Sequence, residues 1–188
     1  MPTPYHHGSL RDSLIDAGRR QLLEEGLASL TLRGLAKRVG VSHSAPLRHF
    51  DDRDALLDAI AAAGFAELIG ELESAAQLPN LQARLSRYAR AHARFARENG
   101  PLLELMFSAR PGEGAAAESA ATFFALGGRL LGERADREPG PLPYLLAATL
   151  EGIGSLVASG RLPVERVDEV VDAAVEMLLP AVEERLSS

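Results

Sequence analysis

The chain has 188 residues, of which 46% are hydrophobic and 24% charged, and its formal net charge is −6 at pH 7. This balance is typical of a globular protein with a sizeable core and excludes wholesale disorder. The absence of cysteine excludes disulfides, thiol nucleophiles and cysteine-based zinc sites. Because no signal peptide is evident and no apolar run reaches the roughly 18 to 20 residues of a spanning helix, we expect a cytoplasmic protein with no membrane partner.

Apolar residues recur at helical spacing along most of the chain, and no alternating run typical of a strand has a useful length. We therefore predict an all-α fold. The first helix begins after Ser9, which can act as its N-cap, and Asp12 completes a capping-box pattern. Gly26 ends this helix.

The segment from Thr31 to Phe50 contains two short helical patterns separated by a tight turn. Thr31 is placed to cap the first pattern, and Gly40 can end it in the left-handed conformation. Ser42 then offers a second N-cap for a helix over 43–50. A helix, a glycine-containing turn and a second helix form a helix-turn-helix, whose second helix enters the DNA major groove.

The same segment is locally basic in an acidic chain. Residues 29–50 contain no Asp or Glu, but they include Arg33, Lys37, Arg38 and Arg48 together with His43 and His49. A solvated helix face is the ordinary explanation of such a run. Combined with the helix-turn-helix spacing, however, the run favours binding to nucleic acid.

Between about Tyr5 and Leu57 the chain carries several short stretches in a fixed order. They are Leu22-Leu23-Glu24-Glu25-Gly26, Leu30-Thr31-Leu32-Arg33-Gly34-Leu35-Ala36, Gly40-Val41-Ser42, His49-Phe50 and Asp51-Asp52-Arg53-Asp54-Ala55-Leu56-Leu57. In this combination the chain resembles the TetR/AcrR family of transcriptional regulators. It departs from the family at Leu47, where many members carry Tyr, and at Pro46, which is unusual there.

The helix-turn-helix pattern and the resemblance together predict the residues that meet DNA. Contacts with base edges are expected from Arg33, His43, Ser44 and Arg48, since Arg can bind guanine in a bidentate manner. Contacts with phosphates are expected from Thr31, Ser42, His49, Arg53 and the backbone of Leu47, with Ala45 beside them. Two copies related by a twofold axis would read a palindromic double-stranded operator.

A long fourth helix is predicted to follow the acidic cap Asp51–Asp54 and to run to about Gln77. We expect it to join a helix-turn-helix DNA-binding domain, residues 1–52, to a C-terminal ligand-binding and dimerisation domain, residues 53–188. The second domain is predicted to be a helical bundle, which gives about nine helices in all. Its loops are expected at 110–114 and 136–143, where glycine and proline cluster.

The last two helices, predicted over 145–160 and 164–179, carry apolar surfaces wider than one core face requires. They could be buried within their own domain or could pack on a second copy in a four-helix interface. The second interpretation is the one that the resemblance implies, because TetR-like proteins dimerise through their last two long helices. The expected interface residues are Gly152, Leu156, Val167, Val171, Val175 and Leu178.

The resemblance also implies that a small-molecule effector binds in the C-terminal bundle. The expected lining residues are Tyr88, His92, Phe95, Phe107, Phe124 and Tyr144, with Met106 and Phe123 nearby. Apolar residues at helical spacing are more often core than pocket. His92 stands out because a neutral imidazole can both donate and accept a hydrogen bond.

No sequence motif indicates catalysis: nucleophile motifs, H-E-x-x-H, phosphate-binding loops and G-x-G-x-x-G are all missing. The pair His6-His7 has no further ligands at helical spacing, so we predict neither a metal site nor a cofactor. Glu151, within an apolar helix, is expected to pair with Arg, to line a pocket or to lie at the interface. We therefore expect a ligand-responsive regulator that acts as a repressor. The alternatives are a TetR-like fold that binds a lipid or other apolar molecule without DNA, and an α-helical enzyme.

Overall fold

The structure, a computed structural model, describes residues 9–108, 114–132 and 140–186. These residues form eight α-helices and no strand, which confirms the all-α prediction. The helices are α1 (Leu10–Glu25), α2 (Leu32–Val39), α3 (Arg53–Ala76), α4 (Leu81–Glu98), α5 (Gly100–Ser108), α6 (Ala115–Leu130), α7 (Pro141–Ala158) and α8 (Val167–Leu186). Three short 3₁₀ turns lie at Leu27–Ser29, Pro46–Arg48 and Val164–Arg166.

The N-terminal head consists of α1, α2 and the segment that follows α2. The capping box at the start of α1 is confirmed: the amide of Asp12 donates to Ser9 Oγ (3.3 Å), and the amide of Ser9 donates to Asp12 Oδ2 (3.2 Å). The head packs closely against α3. A Cβ added at Gly18 would lie only 2.7 Å from Ile60 Cδ1. A larger side chain at this position would therefore push the head away from α3.

Helix α3 is the longest helix of the described chain, with 24 residues. Asp52 caps it by accepting from the amide of Ala55 (2.8 Å). Its buried face runs from Leu56 to Ala75, and it contacts α1 at one end and α4, α5 and α6 further along. Since one continuous helix joins the head to the bundle, a shift of the bundle that moves α3 also moves the head.

The C-terminal bundle packs α4 between α3, α7 and α8, while α6 lies along α3. Helix α7 begins at Pro141, so the loop expected over 136–143 is wrong for residues 141–143. The reason is that proline is tolerated in the first turn of a helix, where its missing N–H has no intrahelical partner. Helix α8 continues through Pro180 to Leu186, beyond the end at residue 179 that the sequence predicted.

By length and composition alone, α7 is long and apolar enough to cross a membrane. This differs from the expectation that no such stretch exists in the sequence. Its inner face is buried against α4, α5, α6 and α8, as in the core helix of a folded domain. The tail with His6-His7, residues 110–113 of one expected loop and residues 136–139 of the other lie outside the described residues.

Candidate nucleic-acid interface and ligand-binding core

The first half of the predicted helix-turn-helix is confirmed. Thr31 caps α2 by accepting from the amide of Gly34 at 3.1 Å. Gly40 ends α2 in the left-handed conformation, with φ of 81° and ψ of 32°, and its amide donates to the carbonyl of Ala36. The chain then turns sharply into the segment 42–50, which we call the reader segment.

The reader segment is not the α-helix that the sequence predicted over 43–50. It contains a 3₁₀ turn at Pro46–Arg48. Pro46 has no N–H to donate to Ser42, and the amide of Ala45 donates to that carbonyl instead (3.0 Å). The hydroxyl of Ser42 makes no capping bond; it lies 3.4 Å from Ser44 Oγ, so the predicted second N-cap is wrong.

Two buried side chains, Pro46 and Phe50, hold the reader segment against the head. The polar side chains between and before them are turned outward: Ser42, His43, Ser44, Arg48 and His49 are all exposed, as is Leu47. Ala45 is half-buried. The segment therefore displays most of its predicted DNA contacts on one exposed stretch of the surface.

The cations around the reader segment fall into two groups. In the part of the chain that the structure describes, no hydrogen bond or ion pair engages the side chains of Arg33, Lys37 or Arg48, and all three are exposed. Arg38, in contrast, pairs with Glu24 and Glu25 of α1. Acids distant in sequence thus offset one charge of the basic run, while three cations remain available to an anionic partner.

Arg53, an expected phosphate contact, makes two hydrogen bonds within the head. Its Nε donates to the carbonyl of Leu30 (2.8 Å), and its Nη2 donates to the carbonyl of Leu27 (2.7 Å). These bonds fasten the start of α3 to the link between α1 and α2. Two of its five N–H donors are thus engaged within the head, which gives Arg53 a structural role beside the phosphate contact that the sequence predicted.

Sequence reasoning missed Arg11. Its guanidinium lies over the ring of Phe50, 5.4 Å from the ring centroid, in a cation–π contact beside the reader segment. The side chain is exposed. No local signal marks Arg11, because its closeness to the reader segment arises only when α1 packs against that segment within the head.

The six expected ligand-binding residues do not line one cavity. Phe107 lies in a cleft of about 490 Å³ between α5 and the end of α7. Phe95 lies in a charged cleft of about 390 Å³ beside Arg19 and Glu67. Tyr88 and Phe124 line a cavity of only about 10 Å³. His92 is buried, and Tyr144 is 52% exposed.

Glu151 lies in the larger cleft with Glu104, Phe107 and Ser155. Partial burial raises the pKa of the Glu151 carboxyl. This position agrees with one of the three roles that the sequence left open for Glu151, namely lining a pocket. Among the described residues, no group of three or more His, Asp and Glu side chains converges as a metal site would require.

The expected dimer residues also separate into two groups. Gly152 and Leu156 are exposed on α7, and Val167 and Leu178 are half-buried at α8. Val171 and Val175 are buried in the core of the chain itself, with exposures of 0% and 3%. Those two residues are not available to a second copy, so we remove them from the expected interface.

The surfaces that α7 and α8 do expose include large apolar side chains that the sequence did not single out. Leu145 is 53% exposed on α7, and Met177 is 67% exposed on α8. Helical periodicity could not distinguish them from the buried residues, because these helices are apolar around most of their circumference.

The capped helix α2, its glycine turn and the exposed cationic reader segment identify a helix-turn-helix protein. Residues 14–60 match the model of the bacterial regulatory proteins of the tetR family. A solved protein of unknown function from Rhodococcus sp. RHA1 is 36% identical, with 96% of this chain and 98% of that chain covered and a TM-score of 0.80. The chain belongs to the TetR family, as the resemblance predicted.

Other similarities cover less of the sequence or show the fold alone. An HTH-type transcriptional regulator of Mycobacterium tuberculosis is 36% identical over 62 residues, which are 33% of this chain and 26% of that protein. The match thus spans about a quarter of that relative's length. A TetR variant from Acinetobacter baumannii AYE, in complex with minocycline, is 24% identical over 94% of this chain and 98% of that chain, with a TM-score of 0.69.

Proposed function

We propose that the protein is a DNA-binding transcriptional regulator, acting as a repressor in the cytoplasm, that binds a palindromic operator as a homodimer and leaves it when an effector binds. The observation that carries this proposal is the unpaired, exposed state of Arg33, Lys37 and Arg48 around the reader segment. In a chain with a net charge of −6, cations that pair with no carboxylate among the described residues suit a polyanionic partner.

The arrangement of the head suggests how the work is divided. Arg48, Ser44 and His43 lie on the reader segment and are assigned to base edges together with Arg33 of α2. Ser42, His49, the Thr31 hydroxyl and the backbone of Leu47 are assigned to phosphates. Arg53 is assigned to phosphates as well, and Arg11 is added to them because its guanidinium borders the reader segment at Phe50.

Dimerisation is assigned to the exposed faces of α7 and α8. Gly152 has open space around its Cα, which would let another backbone approach. Leu145, Leu156 and Met177 supply large apolar side chains that the chain itself does not bury. A twofold axis through these helices would place two reader segments on one face, as a palindromic operator needs.

The response to an effector is assigned to α3 and α6. The start of α6 is tied to α3, since the amides of Ala115 and Ala116 donate to the carboxylate of Asp58 (2.8 and 3.1 Å). An effector that displaces α6 would therefore move α3 and the head attached to it. Its influence on DNA binding can be no larger than its differential affinity for the two arrangements.

The test begins with selection of bound duplexes from a random DNA pool by the purified full-length protein. Affinity for the selected duplex is expected to fall steeply with salt, because each neutralised phosphate contributes a slope of about −0.9 in log affinity against log salt. Arg48→Ala is expected to weaken specific binding by about 1–3 kcal/mol. Arg161→Ala, an equal charge change at an exposed Arg after α7, is the matched control.

Failure to enrich any duplex at low salt would overturn the proposal, and so would a flat salt response. Either result would favour the second candidate function, which is a TetR-like fold that binds an apolar small molecule without DNA. The observation that favours that candidate is the aromatic core of the bundle, where Tyr88, Phe123 and Phe124 lie together.

A further inference from the structure

Two polar side chains on α4 are buried without any hydrogen-bond partner. Tyr88 and His92 are 2% and 1% exposed, and their rings are 6.0 Å apart. Neither Tyr88 Oη nor the two ring nitrogens of His92 is satisfied within the described structure. Most buried polar groups in proteins are hydrogen-bonded, because an unpaired one opposes folding. Two such groups at one place therefore favour the binding of a molecule that supplies the missing hydrogen-bond partners.

Both groups are uncharged at neutral pH. Burial lowers the pKa of His92 to about 4, and burial together with the nearby carboxylate of Glu71 raises the pKa of Tyr88 well above its ordinary value. Glu71 is itself ion-paired with Arg87 and Arg94. The pair thus offers a hydroxyl donor and an imidazole that can donate and accept, with no free charge to balance an ionic ligand.

Aromatic rings connect this pair to the surface. Phe123 lies 6.4 Å from Tyr88 and 5.4 Å from Phe124. Phe124 in turn stacks on the half-exposed Tyr144 at 4.7 Å, with an interplanar angle of 28°. The rings of Tyr88, Phe123, Phe124 and Tyr144, which we call the aromatic series, thus lead from the buried Tyr88 to the surface.

The aromatic series is closed in this structure. The cavity that Tyr88 shares with Phe123 and Phe124 measures about 10 Å³, which is marginal even for one water molecule. A ligand that entered along the aromatic series would part the rings of Phe124 and Tyr144, and a flat molecule would replace the stacking contact that it breaks. Aromatic faces prefer such offset-stacked partners.

We propose that the aromatic series and the Tyr88–His92 pair form a binding site for an uncharged, planar aromatic molecule that carries one hydroxyl group, such as a phenol or a naphthol. The ligand's hydroxyl accepts from Tyr88 Oη and donates to a nitrogen of His92, while its ring lies among Phe123, Phe124 and Tyr144. This inference rests on the proposed effector response and names the chemical class of the effector.

The test uses three probes of one ring system on the full-length protein: 2-naphthol, naphthalene and naphthalene-2-sulfonate. Binding is followed by the fluorescence of the probe and by the shift of the protein's thermal midpoint. We expect 2-naphthol to bind on the order of tenfold more tightly than naphthalene, as one or two buried hydrogen bonds would give, and the sulfonate not to bind. Equal binding of 2-naphthol and naphthalene, or tight binding of the sulfonate, would overturn the proposal.

Two variants identify the groups responsible. Tyr88→Phe and His92→Leu are each expected to abolish the preference for 2-naphthol while keeping the binding of naphthalene. Without ligand, both should unfold at the same temperature as the wild type or higher, because each removes an unpaired buried polar group. Ser86→Ala, which removes a hydroxyl from a half-buried position of the same helix outside the aromatic series, is the control and should keep the preference. A preference that survives in both Tyr88→Phe and His92→Leu places the ligand elsewhere.

The result can be separated from that of the proposed function by measuring DNA binding in the absence of any probe. If the protein binds its selected duplex but not 2-naphthol, the ligand assignment is wrong and the regulator assignment stands. If it binds 2-naphthol with the expected preference but no duplex, the ligand class stands and the regulator assignment is lost.

Discussion

Asp58, in the second turn of α3, accepts a hydrogen bond from the main-chain amide of Ala115 at 2.8 Å. The two residues are 57 positions apart in the sequence, and the bond joins the helix that carries the head to the first turn of α6. Gly114 makes this approach possible, because a Cβ there would lie 2.8 Å from Asp58 Oδ1. Asp58 thus caps α6 from the helix that carries the head.

Replacing Asp58 by Ala is expected to destabilise the protein by about 0.5–2 kcal/mol, the range observed for loss of an N-cap side chain. Urea unfolding measures the change. Glu73→Ala, at an exposed position of the same helix, removes an equal charge and should leave stability nearly unchanged. A loss of stability in both variants would attribute the effect to net charge and not to the cap.

The contrast between Arg53 and Arg48 gives a second prediction. Arg53→Ala should lower the free energy of unfolding by roughly 1–2 kcal/mol, because its guanidinium bonds two main-chain carbonyls. Arg48→Ala should leave that free energy unchanged, because no partner within the described chain engages it, and should weaken binding to the selected duplex. Each variant is the control for the other. If Arg48→Ala proved the less stable of the two, the division of roles would be wrong.

Acid should destabilise the protein through His92. Its pKa falls from 6.5 in the unfolded chain to about 4 in the folded chain. As pH drops below 6.5, the unfolded state takes up a proton that the folded state does not, so stability is lost between pH 6.5 and 4. At pH 5 the loss relative to pH 7 is about 2 kcal/mol.

Urea unfolding at several pH values measures this loss. His92→Leu should reduce the acid sensitivity by that amount, whereas His43→Leu, which alters an exposed side chain, should not. If the wild type and His92→Leu lost stability equally between pH 7 and pH 5, His92 would not be buried in its neutral form.

The proposed homodimer predicts a change of mass in solution. Gly152→Glu or Met177→Glu should yield monomers in sedimentation experiments, because a carboxylate would be desolvated between two copies. Leu27→Glu, which places the same charge at an exposed leucine of the head, is the control and should sediment like the wild type. Dimers that persist in both Gly152→Glu and Met177→Glu would place the interface on another surface.

Local signals predicted most of the helical framework. Ser9 with Asp12, Thr31 with Gly40, and Asp52 mark helix boundaries that the structure confirms. Each of these signals acts through hydrogen bonds within four residues, so the sequence carries it without reference to the rest of the fold. Pro46 is the exception, because it shortened the reader segment to a 3₁₀ turn where periodicity predicted a helix.

The sequence by itself determined the fold class, the family and the stretch that faces DNA in our proposal. The reason is that caps, glycine turns and the spacing of apolar residues are local features of the sequence. Only the tertiary structure decided which cations of that stretch are ion-paired and which apolar side chains of the last helices are exposed. Arg38 is offset by Glu24 and Glu25, and Val171 is buried while Met177 is exposed. The physical reason is that charge pairing and burial depend on neighbours from other helices, which packing alone brings together.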